Sequence, residues 1–278
     1  MARPDPHSFR DDTQPVVEHV SWDVRADFGT RTLDAAAELR LRPGGARPGA
    51  GGPLDLDTRD LIVASVTADG ADAAFEVGPP DPVMGSRLRI ALPTAAAAVR
   101  ICYRTSSRST ALQWCTAEQT ADGTHPFVYS QCQTIHARSM LPIQDTPAVR
   151  FSYDATLQVP AGLTALMSAS SAGPGEGGLR FVQPQSIPAY LLALAVGRLE
   201  GLEVGPRSTV WAEPSQLAAA AWEFAGVEQI LATAEELFGP YAWGRERRRR
   251  AHPGLPSRLP DRVPVLLGDR RGRGGLRP

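Results

Sequence analysis

The sequence contains no lysine and no asparagine, and all 29 of its basic residues are arginine. Such usage fits a GC-rich coding sequence, because the codons for lysine and asparagine are AT-rich. Cysteine is scarce. Cys102, Cys115 and Cys132 are an odd number with no CxxC spacing, which argues against a disulfide framework and against a structural zinc site. Buried, reduced thiols in a cytoplasmic protein are the expectation. No run approaches about 18 apolar residues, so neither a transmembrane helix nor a membrane partner is expected. The opening MARPDPHSFRDD is polar and lacks the apolar stretch of a secretory signal. The glycines follow no fixed period, which excludes a collagen-like chain, and 42% apolar residues exclude disorder throughout.

The 278 residues allow one large domain or two smaller ones, with enough chain to bury a core. The formal net charge of −1 hides an asymmetry. Residues 1–244 carry 18 Arg against 27 Asp and Glu, whereas residues 245–278 carry 11 Arg against 3.

From about residue 16 to residue 212 the dominant signal is alternation with period two. VVEHVSWDVRADF (16–28) sets Val17, His19, Ser21, Asp23 and Arg25 on one side. Val16, Glu18, Val20, Trp22, Val24 and Ala26 fall on the other, the pattern of a half-buried strand. TLDAAAELRLRP, LIVASVTADG, SRLRIALP, AVRICYRT, RFSYDATLQVP and LLALAVGRLEG repeat it. Turn clusters such as RPGGARPGAGG (42–52) and SAGPGEGG (171–178) separate the strands. Many short strands without intervening helices predict antiparallel sheets rather than βαβ units. The GARPGAGG stretch has neither GxGxxG nor GxxxxGK[ST], so it is a loop and not a phosphate cradle.

One segment reads as a helix. After Glu213-Pro214, SQLAAAAWEFAGVEQILATAEELFG aligns Val227, Leu231, Ala234 and Phe238 on one face. Pro214 suits a first helical position, and Gly239-Pro240 stops the helix. The final 34 residues, RERRRRAHPGLPSRLPDRVPVLLGDRRGRGGLRP, hold five Pro, five Gly and eleven Arg without usable periodicity. No packed element is expected there.

The most distinctive stretch is ALQWCTAEQTADGTHPFVYSQCQTIHARSMLPIQDTPAVRFSYDATLQVP (111–160). Its ALQW, the QCQxIHxR run from Gln131 to Arg138 and LPxQDTPxV from Leu141 to Val149 carry a resemblance. IPAYLLALAVGRLE (187–200), GPRSTVWAEP (205–214), FGPYAWG (238–244) and LDLDTRDLIVASVTADG (54–70) extend it. Over about residues 8–244 the chain resembles the amino-terminal part of the zinc aminopeptidases (gluzincins), in the leukotriene-A4 hydrolase / aminopeptidase B branch. The resemblance implies a mainly β fold: a saddle-like antiparallel β domain followed by the start of a thermolysin-like α/β catalytic domain. The family removes amino-terminal residues from peptides, and one branch also opens an epoxide in a lipid. In it the QCQ segment floors the active-site cleft and helps hold the substrate's free amino terminus. Residue for residue, Gln131, Cys132 and Gln133 take that place, with Gln133 the foremost contact. Thr134 and Ala137 differ from common family choices.

Chemically a glutamine suits the task, because its amide both donates and accepts while staying neutral beside an ammonium group. The plainer alternative is that Gln131 and Gln133 satisfy backbone groups at a strand end. His136 has no second histidine or carboxylate at ligand spacing and reads as a hydrogen-bonded structural residue. Asp145, followed by Thr146-Pro147, reads as a turn device that takes backbone N–H groups. Arg138 and Asp145 could also form a structural ion pair.

The family's hydrolysis needs HExxH, whose two imidazoles bind zinc while its glutamate takes a proton from metal-bound water. It also needs a downstream glutamate and a GGMEN-type segment. None occurs in these residues, and His7, His19, His125, His136 and His252 include no i, i+4 pair. No catalytic residue and no zinc are therefore assigned, and activity of these residues alone is not expected. The alternative is a non-enzymatic module that binds peptide amino termini or a partner protein through an uncovered apolar face. Two explanations fit the tail: translation out of frame after about Gly244, or a basic arm contacting phosphates. The abrupt end of the match favours the first. No aromatic residue follows residue 244, so base stacking has no platform and nucleic-acid binding is not expected. The expected organisation is a β domain over residues 1–205, a truncated catalytic-domain start over 206–244, and a disordered or out-of-frame tail over 245–278.

Overall fold

Alternating apolar and polar side chains produce the long hairpin of β1 (Val16–Asp27) and β2 (Thr32–Arg42). Val20, Trp22 and Val24 on β1 and Leu33, Ala37 and Leu39 on β2 are buried. Asp23, Arg25, Glu38 and Arg40 face solvent. The computed structural model describes residues 5–42, 52–93, 96–241 and 263–266, the last four as backbone.

The following strands are β3 (Pro53–Thr58), β4 (Ile62–Ala68), β5 (Ala71–Asp72), β6 (Phe75–Val77), β7 (Ser86–Ala91) and β8 (Ala98–Arg104). Next come β9 (Leu112–Cys115), β10 (Phe127–Ser130), β11 (Phe151–Gln158), β12 (Thr164–Met167), β13 (Ser170–Gly175) and β14 (Gly178–Ile187). The series ends with β15 (Leu194–Gly197), β16 (Glu200–Glu203), β17 (Ser208–Ala212) and β18 (Val263–Leu266). No helix among the described residues is long and apolar enough to cross a membrane.

The chain divides into two compact units. The first comprises residues 1–114, 128–161 and 167–195, and the second residues 115–127, 162–166 and 196–278. In the first, an eight-stranded sheet runs β13-β14-β11-β1-β2-β8-β4-β5, and a three-stranded sheet runs β3-β7-β6. Pairing is antiparallel as the alternation predicts, except that β1 and β11 pair in parallel, with Trp22 opposite Ala155. The mainly β, largely antiparallel fold expected from the sequence is the one observed.

Three local readings change. Strict alternation put Val17 with the outward residues, but the β1–β2 register shifts between Val17 and His19, and Val17 is buried. A bulge of this kind turns a side chain to the other face. The glycine-rich run at 171–178 is not wholly a turn, because Ser170–Gly175 pairs with β14 and only its end reverses the chain. The single helix expected after Pro214 is two: α1 (Leu217–Glu223) and α2 (Val227–Phe238). Gly226 leads into the second, and an interior glycine weakens a helix by about 1 kcal/mol.

The second unit contains α1, α2 and a sheet ordered β16-β17-β18. Val210, Ala212 and Ala220 form its buried cluster, with Val204, Leu217 and Phe224 packed on them. Val263–Leu266 pairs in parallel with Ser208–Trp211, a strand for which the tail's composition gives no sign. The remainder of 242–278 lies outside the described residues, as do the sequence readings that fall on it.

Candidate functional site

Gln131, Cys132 and Gln133 follow directly on β10, in the first unit. Extended backbone sends successive side chains to opposite sides. Cys132 is buried, whereas Gln131 and Gln133 are exposed. Burial, reinforced by the negative charge of Asp145, pushes the Cys132 thiol far above its ordinary range. It is an inert packing group rather than a nucleophile. The Gln131 amide donates to the Ala111 carbonyl at 2.8 Å. Neither glutamine side-chain amide has a hydrogen-bond partner among the described residues. The strand-end role considered above is filled by the backbone of Gln131, leaving both side chains available to solvent.

The segment then turns sharply. The Gln133–Thr134 peptide bond is cis, the His136 amide donates to the Cys132 carbonyl at 2.9 Å, and a 3₁₀ turn spans Ala137–Ser139. Ser139 fastens this turn to the residues that lead into β9. Its hydroxyl oxygen accepts from the Ala111 amide at 2.9 Å and from the Thr110 hydroxyl at 3.2 Å. The His136 Nδ1 lies 2.9 Å from the Thr110 hydroxyl. Burial, with the charges of Arg59 and Arg138, lowers the imidazole below its ordinary pKa. His136 is thus the hydrogen-bonded structural residue that its sequence context predicts.

Beneath the turn lies a cluster of three charged side chains removed from solvent: Asp57, Arg138 and Asp145. Arg138 Nε donates to Asp145 Oδ2 at 3.2 Å, and an Nη2 approaches Asp57 Oδ2 at 3.8 Å. Its remaining donors reach carbonyls: Nη1 bonds Met84 O at 2.7 Å, and Nη2 bonds His7 O at 2.7 Å and Asp145 O at 3.2 Å. Asp57 accepts from the Ser8 hydroxyl and the Phe9 amide, each at 2.7 Å, and from the Asp145 amide at 2.8 Å. Two carboxylates share one guanidinium, so the cluster carries an excess negative charge when both are ionised. Burial raises both acids, Asp145 to about 6, because a low-dielectric setting disfavours the charged form. Asp145 also takes the Arg138 amide at 3.2 Å, so both readings of it, as turn device and as ion-pair partner, apply together.

Gly85 is required beside this cluster. Its φ is +77°, and a Cβ there would lie 2.2 Å from the Thr58 carbonyl oxygen. Only glycine lets the chain pass Thr58 while Met84 presents its carbonyl to Arg138.

Asp57 carries no distinguishing mark in the sequence. It lies in LDLDT, where every residue from Leu54 to Thr58 is buried, and alternation gives no cue for a buried acid in such a run. The role of Ser8 was equally unmarked.

Zinc, which the sequence resemblance implies for the intact family, finds no fit here. Among the described residues no three His, Cys, Asp or Glu side chains converge to hold a metal. His19 engages Ser152 through Nδ1 and Asp154 through Nε2, both at 2.8 Å, on the outer face of the large sheet. His136 is tied to Thr110, and His125 lies beside Thr124.

In the second unit Arg207 gathers two carboxylates of α2, donating to Glu228 and Glu235 at 3.0 Å each. With these acids drawn inward, Ile230, Leu237 and Phe238 on the same helix, and Trp222 on α1, are left exposed.

Comparison with known proteins places these features in context. Residues 18–191 match the family model described as the peptidase M1 N-terminal domain. Leukotriene A-4 hydrolase of Xenopus laevis is 40% identical over 253 residues, covering 87% of this chain and 41% of that protein. Human aminopeptidase B is 39% identical, covering 82% of this chain and 38% of that protein. A solved yeast LTA4 hydrolase in complex with bestatin superimposes with a TM-score of 0.82 at 30% identity, covering 96% of this chain and 39% of the other. An M1 zinc metallopeptidase from Deinococcus radiodurans, at 21% identity and a TM-score of 0.64, shares the fold. The chain thus spans about two fifths of the length of the curated relatives it matches.

Proposed function

We propose that this chain, which belongs to the M1 peptidase family through its N-terminal domain, recognises the free amino terminus of a peptide through Gln131 and Gln133, and that these 278 residues carry out no hydrolysis by themselves. The observation that carries the first part is the pair of exposed, unpartnered glutamine amides flanking buried Cys132 on a turn pinned from below. An ammonium group presents donors only, so a free amide oxygen is a suitable acceptor for it. The second part rests on the sequence, which contains neither HExxH nor a GGMEN segment. A hydrolytic M1 site needs both the metal and its proton acceptor.

The domain reading follows from the same view. Residues 1–205 act as the β domain, 206–244 as the beginning of a catalytic domain and 245–278 as an Arg/Pro/Gly-rich tail, although β16 pairs with β17 across the first boundary and Val263–Leu266 joins the same sheet. Three free cysteines support a cytoplasmic setting.

Aminoacyl-naphthylamide turnover by the purified chain with added zinc tests the proposal. No turnover is expected, and chelator-sensitive turnover contradicts it.

A second reading, a protein-binding module, is favoured by the outward apolar side chains Trp222, Ile230, Leu237 and Phe238. Exposed apolar patches mark interaction surfaces. Under this reading Phe238→Ser and Ile230→Ser reduce self-association or partner capture in light scattering, while peptide binding is unchanged.

A further inference from the structure

The segment before β1 is attached in an unusual manner. Residues 5–14 form no helix or strand, and the two that are buried, Ser8 and Gln14, are polar. Apolar packing therefore does little to hold this segment down. Gln14 is tied to Asp55, and the other long-range bonds of the segment go to the groups that fix residues 138–146. Asp5 Oδ2 accepts from the Thr146 hydroxyl at 2.6 Å, and the His7 carbonyl accepts from Arg138 at 2.7 Å. Ser8 and Phe9 donate to Asp57, whose Oδ2 also takes the Asp145 amide. Just beyond, the Gln144 side chain donates to the Pro15 carbonyl at 2.8 Å and accepts from the Val17 amide at 3.1 Å.

We infer that residues 5–14 form a strap that clamps the turn after Gln133 through Arg138, making Arg138 a positioning residue for the Gln131–Gln133 segment. The inference rests on reading those glutamines as the peptide contact, but the clamp is measured without any peptide. The physical reason for coupling is shared partners. Lifting the strap takes an acceptor from a buried guanidinium and two donors from a buried carboxylate, and an unsatisfied buried charge is costly. Arg138 would have to rearrange. Its own backbone is part of the 3₁₀ turn, with its carbonyl accepting from the Arg59 amide at 2.9 Å. The turn and the strap therefore order together, each favouring the other, as linkage requires.

Amide hydrogen exchange on the full chain tests this. Replacing Arg138 endangers the fold, so the informative variant is Asp5→Ala with Ser8→Ala, which removes the strap's bonds to Thr146 and Asp57, with two bonds inside the strap to the His7 and Arg10 amides, and no apolar core side chain. Exchange in residues 5–14 and in residues 136–141 is expected to accelerate together, by at least about tenfold, while β2 and β8 keep their wild-type rates. Acceleration confined to residues 5–14 overturns the proposal, since the strap is then a passive appendage. Equal acceleration in β2 and β8 overturns it too, since the loss is then global. Binding of tri-alanine by the same two proteins is a separate readout. Failure of the wild type to bind refutes the peptide-contact reading, whereas the exchange result decides the clamp.

Discussion

Arg138 and Asp145 form an ion pair at 3.2 Å in which neither side chain reaches solvent. Seven residues apart, they close the segment that follows the turn after Gln131 and Gln133. A buried pair of this kind gains little net stability from its charges, but removal of one partner strands the other. Arg138→Met leaves Asp57 and Asp145 both buried and uncompensated. A loss of about 3–5 kcal/mol is expected in urea unfolding, and a change below about 1 kcal/mol contradicts the assignment.

The acids of this cluster set a pH dependence whose sign is opposite to that of an ordinary surface carboxylate. Asp145 rises from 3.8 to about 6 on folding, so the folded chain binds this proton more tightly than the unfolded chain. The unfavourable burial of its charge is fully present above pH 6 and disappears as pH falls from 6 toward 3.8. Asp55 and Asp34, held below 3.8 by arginine hydrogen bonds, contribute stability that is lost at still lower pH. Asp145 therefore adds stability as pH falls from 7 toward 3.8, opposed by His136, whose lowered pKa costs stability over the upper part of that range. In denaturant titration the stability of wild type relative to Asp145→Asn should increase between pH 7 and pH 5, and a difference that does not change with pH refutes this origin.

Tyr103 joins two elements inside the first unit. Its hydroxyl accepts from Trp22 Nε1 at 2.8 Å and donates to the Met140 carbonyl at 2.9 Å. Tyr103→Phe leaves an indole N–H and a carbonyl unpaired in a dry interior. The expected cost is about 1–3 kcal/mol, seen as a lowered melting temperature together with altered Trp fluorescence. A neutral substitution means that water replaces the hydroxyl.

Gly85→Ala meets both a positive φ and a carbonyl oxygen that its Cβ cannot approach. Destabilisation should exceed that of Gly123→Ala, a glycine with positive φ but open space around it. Equal effects at the two positions show that backbone conformation alone, and not the contact with Thr58, governs Gly85.

Much of this architecture is legible in the sequence because alternation reports which face of a strand is buried. Trp22, Leu39 and Phe151 follow it directly. What stays hidden is any feature that depends on distant chain segments meeting. Asp57 reads as a surface acid until Arg138, Ser8 and Phe9 surround it. The parallel pairing of β1 with β11 brings together residues more than a hundred positions apart, which periodicity does not encode. The break at Gly226 went unread because apolar residues keep helical spacing across it. Of the candidate site, the QCQ run was identifiable by resemblance and the Arg138–Asp145 pair by chemistry, whereas the strap that holds them was not.

Calorimetric titration with tri-alanine, compared with its N-acetylated form, tests recognition of a free amino terminus most directly. The wild-type chain is expected to bind the free amine and not the acetylated peptide, and Gln133→Ala to weaken that binding by about tenfold or more. Equal affinity of both peptides, or of wild type and Gln133→Ala, contradicts it.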